Sequence, residues 1–227
     1  MAQGFGAYGK IPAVGDFFRL SPPNGFVRVW DAWLQEILSE AQAAYGADFD
    51  AHYMSAPIWR FTLPRGVAGA GKVMGVLMPS VDRVGRRFPL TLVQAVSTSG
   101  PASADHMGAN AVFEKLEDLA LMALDDNTTL ELLGEGLADI PHLALPDVPP
   151  VRGSGGNIVV TGIAAGDSLA RILAGQLMAK SMPEAAIWSA VLDGVPRMLA
   201  CPGLPRGPMA TALFDMHAPI WREAPPL

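Results

Sequence analysis

Two apolar runs, Val73 to Met78 and Phe88 to Val96, flank the most charged stretch of the chain, Pro79-Ser80-Val81-Asp82-Arg83-Val84-Gly85-Arg86-Arg87-Phe88-Pro89. Each run is short, β-branched and aliphatic, and ends at Pro or Gly, which is the pattern of a buried strand. The segment between them is then a strand-to-strand connection at the rim of a core. Pro79 and Pro89 stiffen its ends, and Gly85 allows a turn that other residues resist. One aspartate and three arginines on so short a loop must be paired, solvated or offered to a partner.

Only 17% of the 227 residues are charged and half are hydrophobic, so the chain can bury a large core and is not a disordered polymer. A net charge of −6 argues against a nucleic-acid footprint. The lone Cys201 excludes an internal disulfide and fits a reducing compartment. The start lacks the basic and apolar regions of a signal peptide, and no apolar stretch approaches the roughly 20 residues of a membrane span. A cytoplasmic protein without direct membrane insertion is expected.

Residues 3–9 read as a glycine-loosened first strand, followed by a second loop of spaced charges, Lys10, Asp16 and Arg19, among apolar neighbours. Asn24 is positioned to cap a helix over 26–45, where Phe26, Trp30, Trp33, Leu34, Ile37 and Ala41 recur at steps of three and four. Two tryptophans on such a stripe read as core, not as a ligand-stacking box. Strands follow at 57–63, 73–78 and 88–96, joined closely enough for an antiparallel meander. A long helix is expected over 104–125, a cap at Asn127-Thr128 with a short helix over 129–137, and a mobile Pro- and Gly-rich excursion over 141–156. Then come a strand at 157–163, a helix over 169–180 capped by Asp167 or Ser168, a hairpin over 185–200 turning at Asp193-Gly194, and a short helix over 208–215. Ala218–Arg222 repeats Ala56–Arg60 letter for letter, without matching surroundings. The expected architecture is a single α/β domain over 1–227, with a largely antiparallel central sheet that includes 157–163 and helices packed on its faces.

Motifs for chemistry are weak. Gly66-Val67-Ala68-Gly69-Ala70-Gly71-Lys72-Val73 has the skeleton of a phosphate loop, but Val73 replaces the Ser/Thr and a strand, not a helix, follows. His52, His106, His142 and His217 have no partner at metal-binding spacing, so neither a metal nor a cofactor is expected. Ser80 lacks a nucleophile elbow, and only a fold that brought His106 beside it would make a catalytic pair. Asp16, Asp31 and Asp82 lie near arginines, where a carboxylate is ionised and structural. Asp16 and Asp82 are expected to accept hydrogen bonds from Arg83, Arg86, Arg87 or Arg60.

Several multi-residue motifs recur in order: Tyr8-Gly9-Lys10-Ile11-Pro12, Gly15-Asp16-Phe17, Trp30-Asp31-Ala32-Trp33-Leu34, Ala56-Pro57-Ile58-Trp59-Arg60-Phe61, and the charged loop from Pro79 to Leu90. Together they resemble the TagF (ImpM) family of type VI secretion-associated proteins, most densely over about 6–98. Ile187-Trp188-Ser189 and Gly203-Leu204-Pro205 resemble the family's later segments, with one tryptophan where two are expected. The resemblance implies a non-enzymatic cytoplasmic accessory protein that represses secretion post-translationally by protein binding, with a forkhead-associated scaffold as the implied partner. Some members are fused to a PP2C-type phosphatase, but no metal-binding aspartate set is read here. The family has no established catalytic residues to carry over. Lys10, Asp16, Arg19, Asp82, Arg83, Arg86 and Arg87 are the expected contact or loop-organising residues. The alternative is an enzyme, or an anion or phospho-ligand binder, with a cleft between loops 10–19 and 79–89.

Overall fold

The fold is described from a computed structural model over residues 4–141, 151–154, 156–161 and 168–223. Strands β1 (Gly6–Gly9), β2 (Phe18–Leu20), β3 (Trp59–Leu63), β4 (Lys72–Met78), β5 (Leu90–Val96), β8 (Ala185–Leu192) and β9 (Val195–Pro202) form one sheet in the order β2-β1-β5-β4-β3-β8-β9. All pairings in it are antiparallel. The meander is as expected, with Val76 opposite both Arg60 and Leu92. Strand β4 is buried along its whole length because both faces are covered, which explains its unbroken apolar run.

Val73 and Leu77 point to a core shared with helix α1 (Phe26–Tyr45), whereas Met74, Val76 and Met78 point to a second core on the opposite face. The first core is aromatic: Trp30, Trp33, Phe61 and Trp188 pack with ring centroids 4.6–6.0 Å apart. Helices α2 (Phe49–Ser55) and α7 (Pro208–Thr211) flank α1 on that side. The second face carries α3 (Ala102–Gly108), α4 (Asn110–Met122) and α5 (Leu130–Asp139). Gly75, in the central strand, permits close strand approach: a Cβ there would lie 2.0 Å from the Leu92 carbonyl oxygen.

Several expected elements differ. The helix expected over 104–125 breaks at Ala109, since α3 leans on β3 and β8 while α4 covers β4 and β5. His106 fixes that break, wedged between Thr62 Oγ1 at 3.0 Å and Ser189 Oγ at 2.8 Å. The strand expected at 157–163 does not join the main sheet. As β7 (Asn157–Val160) it pairs with β6 (Val151–Ser154) in a separate hairpin. Closing that short loop, turned at Gly156 with φ 81°, is the nearer contact, and β8 already occupies the position beside β3. Part of the expected excursion over 141–156 is therefore β6, while 142–150 and 155, like 162–163 of the expected strand, lie outside the described residues. Asn24 does not cap α1; Gly25 takes the cap position at φ 77° with no side-chain bond. Thr129, one or two residues beyond the expected cap, accepts from Leu132 N–H to start α5. Of the two expected caps for α6 (Leu169–Ser181), Ser168 accepts from Arg171 N–H, and Asp167 lies outside the described residues.

The expected hairpin at Asp193-Gly194 is present, with φ 51° and 76° at the two turn residues, the signature of a type I′ turn. The helix expected over 208–215 is shorter, ending at Thr211. Ala218–Arg222 runs into α8 (Ile220–Glu223) whereas Trp59 and Arg60 lie in a strand, so the echo is not a structural repeat. The two copies nonetheless meet, Trp221 stacking on Trp59 at 5.8 Å.

Candidate functional site: two sutured loops

Strand β1 lies against β5, with Tyr8 opposite Thr91, so the loop leaving β1 and the loop entering β5 emerge at the same end of the sheet. Gly9 is required there: at φ 138°, a Cβ would stand 2.1 Å from the Pro89 carbonyl oxygen. The charged loop closes on itself through a bridge between Val81 and Arg87 and a turn in which Gly85 N–H donates to Asp82 O at 2.8 Å. Gly85 has φ 82°, the left-handed conformation that favours glycine.

The Asp82 side chain holds both loops. It accepts from Val84 N–H at 3.1 Å, Arg86 N–H at 2.9 Å, Arg86 Nε at 2.6 Å and Lys10 Nζ at 2.9 Å. Burial pushes its carboxyl up, but the Lys10 ammonium, the two backbone amides and the Arg86 guanidinium outweigh that and hold it well below the usual carboxylate range. The Lys10 ammonium, itself buried, also lies 4.7 Å above the Phe17 ring. The loops are then stitched directly. Arg83 N–H donates to Val14 O at 3.1 Å, the Arg83 guanidinium donates to Ala13 O, and Arg86 Nη2 donates to Gly15 O at 2.7 Å.

Helix α2 buttresses the base. Tyr53 OH donates to Ser80 O at 2.8 Å, and Ser80 N–H donates to Tyr53 OH at 3.0 Å. Arg87 pairs with Asp50 from the same helix. Arg19 lies 5.5 Å above the Tyr8 ring, and Tyr8 OH donates to Asp31.

Five of the seven sequence-chosen residues, Lys10, Asp82, Arg83, Arg86 and Arg87, thus enter one bonded unit. Asp16 does not join it: its carboxylate accepts Phe17 N–H at 2.8 Å and remains exposed. Arg60 bonds elsewhere, forming a two-pronged pair with Glu117 at 2.6 Å on each prong and donating to Asn110 at 2.9 Å. Asp31 serves Tyr8 and Gln35, not an arginine. His106 is committed to Thr62 and Ser189, not to Ser80. Sequence reasoning missed Tyr53 and Asp50, because α2 carries no periodic signal, and Phe17 and Val84, which are apolar yet exposed at 47% and 71%. The exposed side chains of the two loops and of β2 therefore include two apolar ones, Phe17 and Val84, and three arginines, Arg19, Arg83 and Arg86. Among the described residues, no three His, Cys, Asp or Glu side chains gather as a metal site would require.

A family model described as the TagF N-terminal domain, type VI secretion system-associated, matches residues 6–140. The chain belongs to the TagF family. That match contains both sutured loops and the α2 buttress. The TagF-family chain also resembles PA0076 from Pseudomonas aeruginosa PAO1, known from a crystal structure, with a TM-score of 0.74 and 30% identity over 98% of this chain and 97% of that one. No curated protein matches it. It is thus a type VI secretion-associated protein, and no helix among its described residues is long and apolar enough to cross a membrane.

Proposed function

We infer that this protein is a non-enzymatic, cytoplasmic regulator of the type VI secretion apparatus that represses it by binding a component through the sutured loops. A forkhead-associated scaffold is the proposed partner. The observation that carries this reading is the commitment of the loop charges to one another. Asp82 is saturated by four donors and kept ionised, and Lys10 is buried against it, so neither is free to carry a proton to a substrate. What the unit offers outward is two exposed apolar side chains, Phe17 and Val84, together with exposed arginines, the residue types of an interface centre. The interval between loops 10–19 and 79–89, where a ligand cleft was the alternative, is crossed by the Arg83 and Arg86 bonds to Ala13, Val14 and Gly15.

Val84→Asp is the cleanest test, because the Val84 side chain is exposed and only its backbone holds Asp82. A carboxylate on the turn between Arg83 and Arg86 should weaken co-purification of the scaffold by at least about tenfold. It should also release secretion in cells that overproduce the protein, with thermal unfolding unchanged. Undiminished co-purification would remove the interface from these loops.

A further inference from the structure

The outer face of the α4–α5 hairpin carries large apolar side chains where a monomer's surface is usually polar. The inner stripes, with Val112, Leu116 and Ala120 on α4 and Leu133 and Leu137 on α5, are buried in the second core. Gly136 backs onto Leu119, since a Cβ there would lie 2.5 Å from Leu119 Cδ1. Leu132 precedes Gly136 by one turn on the same stripe. The chain reverses through 123–129, so Leu132 falls beside the last turn of α4, which bears Leu121 and Met122. These side chains are 54% (Leu121), 43% (Met122) and 49% (Leu132) exposed, and Leu124 just beyond is 40% exposed. Apolar side chains grouped this way inside a polar rim mark an interaction surface.

The rim is acidic. Residues 110–139 contain eight carboxylates and one lysine, a net of −7 in a chain whose total is −6, so the rest of the molecule is slightly basic. Among the described residues only Glu117 of this set has a cation, Arg60, within salt-bridge reach. Asp118 lies one turn before Leu121 and Met122, and Glu135 one turn after Leu132, so charge and apolar surface alternate along both helices. Such a field repels nucleic acid, anionic lipid and a second copy of the same face. It attracts a segment whose cations flank an apolar stripe.

We propose that the α4–α5 face docks a basic amphipathic helix of a partner protein, its apolar stripe on Leu121, Met122 and Leu132 and its cations on the surrounding carboxylates. This surface is separate from the sutured loops, and its failure would leave the reading of those loops intact.

The test uses the full chain and a fluorescent, synthetic Leu/Lys amphipathic helical peptide, against a scrambled peptide of the same composition without an apolar face. The amphipathic peptide should bind at least about tenfold more tightly than the scrambled one. Met122→Ser with Leu132→Ser should lose that advantage, and Asp118→Asn with Glu135→Gln should weaken binding and flatten its salt dependence. Asp48→Asn with Glu184→Gln, exposed acids elsewhere, should leave it unchanged. All these positions are exposed, and unfolding curves verify that the variants fold. Equal binding of the two peptides, or equal loss in the control variant, reduces the effect to net charge and overturns the proposal. So does concentration-dependent dimerisation of the parent chain that Met122→Ser with Leu132→Ser abolishes, since the face would then belong to a second copy.

Discussion

His106 illustrates how far one side chain's behaviour is set by its neighbours. Its ring nitrogens are taken up by Thr62 and Ser189, its ring packs at 4.9 Å on Phe113, and the residue is only 5% exposed. Burial, with the nearby Arg60 charge, pushes its pKa down to about 3. In the unfolded chain the value is about 6.5. Between those two values the unfolded state binds a proton that the folded state refuses, so stability falls as the pH falls through the window, by about 1.4 kcal/mol per unit from this group. Asp82 acts in the same sense but lower: its depressed carboxyl contributes fully above the unfolded carboxylate range near 4 and loses that contribution only on further acidification. Urea titrations from about pH 6 to about pH 4.5 lie above the range in which Asp82 acts, and His106→Gln should remove about 1.4 kcal/mol per pH unit of the slope there. An unchanged slope would mean that the imidazole is not held neutral. None of this was legible in the sequence, where His106 is one unpaired histidine among four.

Among elements, the two sheet edges show how the chain avoids pairing with itself. Strand β2 is only three residues long. Strand β9 is longer and needs another device. The type I′ turn makes Leu192 and Val195 a hydrogen-bonded pair, so Val195, Arg197, Leu199 and Cys201 direct their backbone groups to β8 and Pro196, Met198, Ala200 and Pro202 direct theirs outward. Both prolines thus stand where an N–H would face an incoming strand. Pro196→Thr with Pro202→Thr should restore two outward donors. Light scattering should then show concentration-dependent association beyond that of the parent, and identical scattering would show that the edge is guarded by something else. Elements with local signals were read correctly from the sequence: the aromatic stripe of α1, the meander, and the Asp-Gly hairpin. Those decided by distant partners were not. The break at Ala109 depends on where His106 meets β3 and β8, and the suturing of Arg83 and Arg86 ends on backbone carbonyls, which no side-chain pattern advertises.

At the scale of the molecule, the family match and the folding unit have different ends. The match stops at residue 140, but the aromatic core does not. Trp188 stacks on Trp30 at 6.0 Å and packs at a tilt against Trp33 and Phe61 at 5.4 Å, and β8 covers the open side of β3. The Trp33 indole donates to Pro205 O and the Trp59 indole to Leu213 O, each at 2.8 Å. A chain ending at 140 would lose both bonds, at about 0.5–1.5 kcal/mol each, and would remove an aromatic side chain whose loss from a core costs about 3–5 kcal/mol. Those terms alone approach the roughly 5–15 kcal/mol by which a domain is stable. The fragment 1–140, which contains the matched residues 6–140, should therefore lack a cooperative urea transition and a near-ultraviolet circular dichroism signal from its tryptophans. Co-expression with 141–227 should restore both, because β8 then re-forms the wall of the core. A fragment 1–140 that unfolds as cooperatively as the whole chain would make β8 and β9 an appendage to the domain. The aromatic contacts across residues 30, 33, 61 and 188 argue that they are part of its centre.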